Sequence, residues 1–212
     1  MAASERPIIR ALALAIAIAA GLASNVSHAA GKKEEPRVCA TSSAELKAVV
    51  LEEHVKKKKG KFALGKKSEC LVTADGISLP AVLVELPPFV ESYVVNIRSL
   101  LGSTVLAPRV DVLDATKAHR RTLGLADVKS RGDSLSIDVF INQENADERY
   151  LVLYPDPASL GRGESRSSMG AQTTYIATGY WVSGTDTKQL VNYVDAGTLI
   201  VTLKGSRWDK KS

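Results

Sequence analysis

The sequence predicts a mainly all-β protein, an antiparallel β-sandwich with one short N-terminal helix. Three segments alternate apolar and polar residues with the two-residue period of a half-buried strand, namely Tyr93–Leu101, Leu135–Ile141 and Leu199–Leu203. A fourth segment, Tyr150–Tyr154, is apolar at every position, as expected for a central strand covered on both faces. Short strands with closely spaced turn signals are typical of a jelly-roll or galactose-binding-like sandwich.

The helix signal lies before these strands. Ser42 and Glu45 have the spacing of a capping box, in which a hydroxyl and a carboxylate each accept a backbone N–H. Apolar residues follow at helical spacing, so a short helix is expected over residues 43–53. A strand at Val49–Leu51 is the alternative.

Prolines set the limits of two predicted strands. Leu79–Leu86 is an apolar run that contains Pro80 and is closed by two further prolines, so its ends are not expected to extend a ladder of hydrogen bonds. In the next apolar run Pro108 removes one backbone donor, which argues for an edge strand or a bulge.

Turn residues divide the second half of the chain. Ser130–Asp133 is expected to be a hairpin turn in which Gly132 supplies a positive φ. Gly161–Gly170 has nothing to bury and is expected to be a polar loop. Tyr175–Val182 favours a strand, and Leu190–Val194 fits a helix or a strand equally well.

The first 29 residues have the three-part pattern of a secretory signal peptide. Two arginines precede an apolar run from Ala11 to Ala23, and small residues allow a cut near Ala29/Ala30. This run is short for a transmembrane helix and no later segment is long enough, so we expect a periplasmic protein without a transmembrane segment in the mature chain. The expected parts are the signal peptide at 1–29, an N-terminal extension at 30–60, the β-sandwich at 61–205 and a tail at 206–212.

The mature chain has two cysteines, Cys39 and Cys70. In an oxidising compartment two cysteines most simply form one disulfide bond, which here would tie the N-terminal extension to the sandwich. Too few histidines lie near them for a metal site, and no metal is expected.

A lysine-rich segment separates the predicted helix from the sandwich. Its like charges repel one another, so we expect an extended segment or a hairpin. It is either a solvated loop or a contact with an anionic surface, whereas nucleic acid is not expected because hardly any aromatic residues interleave the lysines. The lysines are Lys56, Lys57, Lys58, Lys59, Lys61, Lys66 and Lys67.

The β core also resembles a known family. Val105–Asp114, which reads VLAPRVDVLD, is similar to a segment of the maltose-operon periplasmic proteins (the MalM-like family), and Arg149–Tyr154 and Gly197–Leu203 resemble later strands of that family. The resemblance covers roughly residues 77–203 and implies a periplasmic protein associated with maltodextrin uptake. It carries no catalytic residues, and the lysine-rich segment and the two cysteines depart from the family pattern.

The residues give no catalytic constellation. His54 and His119 have basic neighbours and no sequence partner that suggests a general base, and neither a nucleophile elbow nor a nucleotide-binding glycine motif occurs. No spacing selects a glycosidase pair among the carboxylates, which are expected to be solvated: Asp111, Asp114, Asp127, Asp133 and Asp138. We therefore expect no enzyme activity and no cofactor.

Aromatic residues in the last third suggest a binding site instead. Tyr175, Tyr180 and Trp181 could present flat apolar surfaces to sugar rings, although covering the core is the simpler role. The favoured function is a periplasmic accessory protein linked to carbohydrate transport, with maltodextrin, another glycan or an envelope protein as partner. The alternative is an envelope interaction module that uses the lysine-rich segment.

Overall fold

A computed structural model gives the structure of residues 38–54 and 59–205. The predicted signal peptide and its cleavage site, lysines 56–58 and the predicted tail at 206–212 lie outside the described residues. No helix among the described residues reaches the length and hydrophobicity needed to cross a membrane.

Two five-stranded sheets pack face to face and confirm the predicted all-β sandwich. The strands of the first sheet, in order, are β1 (Ala48–Val50), β5 (Val82–Glu85), β12 (Glu148–Pro155), β8 (Pro108–Asp114) and β9 (His119–Leu123). Those of the second are β10 (Lys129–Arg131), β11 (Ser134–Ile141), β6 (Tyr93–Leu100), β15 (Gly197–Lys204) and β2 (Lys59–Leu64).

Smaller elements lie outside the two sheets. The hairpin of β3 (Cys70–Val72) and β4 (Ser78–Pro80) stands alone, whereas β7 (Thr104–Val105) pairs with a long hairpin of β13 (Gly163–Ile176) and β14 (Gly179–Tyr193). Among the described strands all pairings are antiparallel except β1 with β5 and β7 with β14. Within residues 38–54 and 59–205, helical structure is limited to α1 (Leu51–His54) and four single 3₁₀ turns, at Ser43–Glu45, Leu125–Asp127, Gln143–Asn145 and Pro157–Ser159.

The core lies between the two sheets because the strands alternate as predicted. In β6 every second side chain is buried, and Val95 and Ile97 lose all contact with solvent. They pack in one cluster with Val201 of β15 and with Val110 and Leu153 of the first sheet. Each such side chain contributes about 1.5–3 kcal/mol by leaving water, so this layer supplies most of the stabilisation.

Strand β12 confirms the prediction of a central strand covered on both faces. Leu151 and Leu153 point into the core between the sheets. Val152 and Tyr154, on the opposite face, belong to a second apolar cluster outside the first sheet. That second cluster is covered by the N-terminal segment and by the β3–β4 hairpin, which contribute Leu46, Leu71 and Leu79.

The predicted disulfide bond between Cys39 and Cys70 is present. It joins the segment at 38–41 to β3, where the amide of Ala40 also donates to the Cys70 carbonyl (2.9 Å) and the amide of Val72 donates to the Ala40 carbonyl (2.9 Å). We call the N-terminal segment (residues 38–46) and the β3–β4 hairpin the covering layer. The disulfide bond therefore fixes this covering layer against the outer face of the first sheet.

The predicted helix at 43–53 is present only as two separate turns. The Ser42 hydroxyl caps the 3₁₀ turn by accepting from Ala44, while the Glu45 carboxylate reaches back to the Thr41 amide, one residue before the expected position. Between this turn and α1 the chain forms β1, as in the alternative prediction, because residues 48–50 pair with β5.

The structure changes two strand predictions that involve prolines, although the run Leu79–Leu86 does end before Pro87 as expected. The run Leu79–Leu86 divides at Ala81, where the chain passes from β4 to β5 in the first sheet. Pro108 lies in neither an edge strand nor a bulge. It begins β8, an inner strand, and pairs with Pro155 at the end of β12, so both prolines lie where the ladder ends and no amide is required.

The prediction of a loop at Gly161–Gly170 is wrong in large part, because strand β13 begins at Gly163. Its partner strand β14 includes Leu190–Val191, so the ambiguous segment there is a strand. The Ser130–Asp133 turn is confirmed: Arg131 pairs with Ser134, and Gly132 has a φ of 53°.

Candidate functional site

A cavity of about 310 Å³ opens on the outer face of the first sheet, beside the covering layer. The outward residues of β8, β9 and β12 form its floor, and the β3–β4 turn and the N-terminal segment form its wall. The polar side chains that line it are Thr41, Ser43, Thr73, Asp75, Arg109, Asp111, His119, Thr122 and Tyr154.

Asp111 is the centre of a hydrogen-bonded chain on this floor. Tyr154 donates its phenolic proton to Oδ2 (2.8 Å), and Thr122 donates its hydroxyl proton to Oδ1 (2.6 Å). The Thr122 oxygen also lies 2.8 Å from Nε2 of His119. Because the single Thr122 proton goes to Asp111, Nε2 of His119 is the donor in that contact, and Nδ1 is the acceptor in the corresponding tautomer of the ring.

Arg109 closes one side of the floor. Its guanidinium carbon lies 6.0 Å from the centre of the Tyr154 ring, and Nη1 lies 3.9 Å from Oδ1 of the buried Asp156. Asp156 is otherwise occupied, since it accepts from the amides of Leu125 and Ala158. Arg109 therefore lies within cation–π distance of an aromatic ring and beside a buried carboxylate, two neighbours that suit a guanidinium.

The register of three strands brings these residues together. Asp111 is paired with Thr122 in β9, and Arg109 is paired with Tyr154 in β12. Sequence reasoning missed the site because it treated Asp111 and His119 as solvated and Tyr154 as part of an apolar strand. The only local signal was that Arg109 and Asp111 are two residues apart, which places them on one face of a strand.

Tyr154 keeps its proton far into the alkaline range. Burial raises the pKa of its phenol above the ordinary value near 10, and the charge of Asp111 and the hydrogen bond to that carboxylate raise it further. Tyr154 therefore remains a donor to Asp111 at every pH at which the protein is expected to work.

This shift predicts a change in alkaline stability for Tyr154→Phe. Near pH 10 an unfolded tyrosine loses its proton while folded Tyr154 keeps it, so the free energy of unfolding of the wild type falls as the pH rises through this range. The variant lacks this group and should lose less stability there, although it starts about 1.5–3 kcal/mol lower at neutral pH because the Asp111 carboxylate loses a donor. Urea unfolding at neutral and alkaline pH measures both effects, and parallel pH profiles would contradict the assignment.

The predicted glycan contacts lie at the tip of the β13–β14 hairpin. Tyr175 is paired with Tyr180, and Trp181 is paired with Thr174 in the next position of the register. The Tyr175 side chain is 82% exposed, whereas those of Tyr180 and Trp181 lie outside what the structure describes. Because adjacent pairs of a hairpin belong to opposite faces, position 181 does not share a face with positions 175 and 180.

Polar contacts hold the base of this hairpin to the sandwich. Arg166 donates to the Ser130 hydroxyl (2.6 Å) and lies 3.2 Å from the Glu164 carboxylate. Tyr193 donates to the same carboxylate (2.6 Å). The pKa of the Glu164 carboxyl is lowered. The hydrogen bond from Tyr193 favours the ionised carboxylate, and partial burial opposes ionisation less strongly.

The lysines named from the sequence that the structure describes lie on one strand and in the turn after it. Lys59 and Lys61 are exposed on the edge strand β2, and Lys66 and Lys67 lie in the turn that follows. Lysines on an edge strand also discourage pairing with other chains, so part of their role is protective. The segment at 59–64 is thus extended, one of the two predicted conformations.

No protein-family model matches this chain, and no curated protein matches it either.

Proposed function

We propose that this protein is a non-catalytic periplasmic accessory protein that binds a glycan in the cavity above Asp111. The observation that carries this proposal is the convergence of a carboxylate, a guanidinium, an imidazole and several hydroxyl groups on one cavity floor. The resemblance to the maltose-operon periplasmic proteins makes maltodextrins the first ligands to test.

The chemistry of the cavity suits a neutral polyhydroxylated ligand. Each sugar hydroxyl both donates and accepts hydrogen bonds, so it needs neighbouring acceptors and donors. Asp111 and Nδ1 of His119 are acceptors, and the Arg109 guanidinium is a donor. The volume of about 310 Å³ lies at the lower end of the range for small-ligand sites, about 300–1,000 Å³.

The floor is organised before a ligand enters. Both oxygens of Asp111 already accept one strong hydrogen bond, which fixes the carboxylate and leaves further lone pairs for a ligand. Leu71, Leu113 and Pro157 add apolar surface to the lining, which a sugar ring can contact with its carbon–hydrogen face. A fixed site of this kind loses little conformational entropy on binding.

The hairpin tip is a second contact for a longer glycan. Tyr175 offers an exposed ring there, and aromatic rings pack against the apolar faces of sugars. We propose Tyr175 and Tyr180 on one face of the tip, or Trp181 on the other face, as this second contact, separate from the cavity and dispensable for the shortest oligosaccharides.

Asp111→Asn is expected to weaken maltodextrin binding about tenfold or more, because a hydrogen bond to a charged group contributes about 1.5–3 kcal/mol. Calorimetric titration of the mature chain with a series of maltodextrins, at low and high salt, measures this change. The heat should be saturable and insensitive to salt, because a neutral ligand has no charge to screen.

Asp195→Asn is the matched control, since this exposed residue lies outside the cavity and the same charge is removed. The Asp195→Asn variant should bind maltodextrins with the same affinity as the wild type. Either Tyr175→Ala or Trp181→Ala should weaken only the longer oligosaccharides. If Asp111→Asn leaves saturable binding unchanged, the glycan binds at the hairpin tip and not in the cavity. If no oligosaccharide gives any heat, glycan binding is rejected.

A further inference from the structure

On the outer face of the second sheet, cations outnumber anions among the described residues. Burial alternates along β2, β15 and β6, so one residue in two points outward. The register places Lys61, Ile200 and Arg98 in one row across the sheet and Lys59, Thr202 and Asn96 in the next. Lys204 follows on β15, beside Val94. Four cations therefore occupy the outward positions of these three strands.

A single carboxylate, Asp138, occupies the outward positions of these strands and of the adjoining β11 among the described residues. It accepts from the Asn96 amide (2.7 Å) and from Lys129 of β10 (3.2 Å). Partial burial alone would raise the pKa of Asp138, but these two hydrogen bonds and the charge of Lys204 outweigh it and lower that pKa. Asp138 therefore stays ionised, with Lys129 as its counterion, and it does not offset the four cations of β2, β6 and β15.

Each end of this face pairs a lysine with exposed apolar surface. At one end a shallow groove of about 400 Å³ is lined by Lys61, Leu100 and Ile200, and Leu100 is 48% exposed. At the other end a groove of about 290 Å³ is lined by Lys204, Val94 and Phe140, and Phe140 is 54% exposed. Large apolar side chains next to lysines are what an interface between water and lipid favours.

We propose that the outer face of the second sheet docks on an anionic phospholipid bilayer. The cations contact the headgroups, and Phe140 and Leu100 enter the boundary between headgroups and acyl chains. An acidic polysaccharide would match the charge alone and would leave the two apolar grooves without a role. This surface is on a different sheet from the cavity above Asp111, and the proposal is independent of glycan binding.

Sedimentation with vesicles tests this surface. The purified chain is expected to bind vesicles of equimolar phosphatidylcholine and phosphatidylglycerol and not vesicles of phosphatidylcholine alone, and salt should weaken the binding. Each lysine near an anionic surface contributes about a fivefold gain in partitioning, so the double variant Lys59→Gln/Lys61→Gln should bind roughly 20- to 30-fold more weakly. Phe140→Ser should bind several-fold more weakly without any change of charge.

Lys47→Gln/Lys188→Gln is the matched control, because it removes the same charge at two exposed positions away from this face. It should retain nearly all of the vesicle binding, and circular dichroism checks that each variant is folded. If the two double variants lose the same amount of vesicle binding, the net charge of the protein explains the binding and the proposal is overturned. Binding to dextran sulfate but not to the anionic vesicles, or vesicle binding that Phe140→Ser leaves unchanged, would overturn the lipid assignment.

Discussion

Removing the Cys39–Cys70 disulfide bond is expected to lower the free energy of unfolding by roughly 3–4 kcal/mol. The cysteines are 31 residues apart, and a cross-link over a loop of this length restricts the unfolded chain by about that amount on the chain-entropy estimate. The double variant Cys39→Ser/Cys70→Ser should therefore unfold at a lower urea concentration than the oxidised protein.

The same variant should also bind glycan more weakly under the proposed function. Thr41, Leu71 and Thr73, which line the wall of the cavity, belong to the segments that the bond holds together. The oxidised protein treated with a reductant should behave like the variant in both assays, which separates loss of the bond from an effect of serine. Equal stability of all three forms would show that the covering layer docks without the bond.

Arg121→Gln is expected to cost about 3 kcal/mol, because it leaves the buried Glu148 carboxylate without its counterion. The Arg121 side chain is 36% exposed, which keeps this cost at the lower end of the range for a buried ion pair. Arg121 donates to both carboxylate oxygens of Glu148, at 2.8 and 2.7 Å, and the Glu148 side chain is only 5% exposed. Arg121 also donates to the Phe140 carbonyl (3.1 Å), which links the edge of the first sheet to β11 of the second. The midpoint of thermal unfolding should fall by roughly 10 °C.

The neighbouring arginine provides the control. Arg120 pairs with Asp147 at 2.9 Å, but both side chains are about half exposed (50% and 51%). Exposed pairs of this kind contribute less than about 1 kcal/mol, so Arg120→Gln should change the stability little. Adding Glu148→Gln to Arg121→Gln should recover part of the loss, since no buried charge then remains. Similar costs for the two single variants would contradict the buried-pair explanation.

Rules that consider one segment at a time predicted the strands correctly where buried and exposed residues alternate along the sequence. The segments Tyr93–Leu101, Leu135–Ile141 and Leu199–Leu203 alternate in the sequence and are buried on one face in the structure. Local rules were insufficient for Gly163–Gly170, because a strand in a long hairpin needs only a partner strand and no apolar face of its own. They also gave too long a helix at 43–53, where pairing of β1 with β5 overrides the helical spacing.

The sequence by itself determined the sandwich, its central strand β12 and the cysteine pair, because each depends on residue types within one segment or on a count of two thiols. Only the tertiary structure decided the candidate sites. Asp111, His119 and Tyr154 meet through the pairing of three strands, and Lys61, Arg98 and Lys204 meet through the pairing of three others. Strand register is a property of the whole sheet, and no single segment contains the information that sets it.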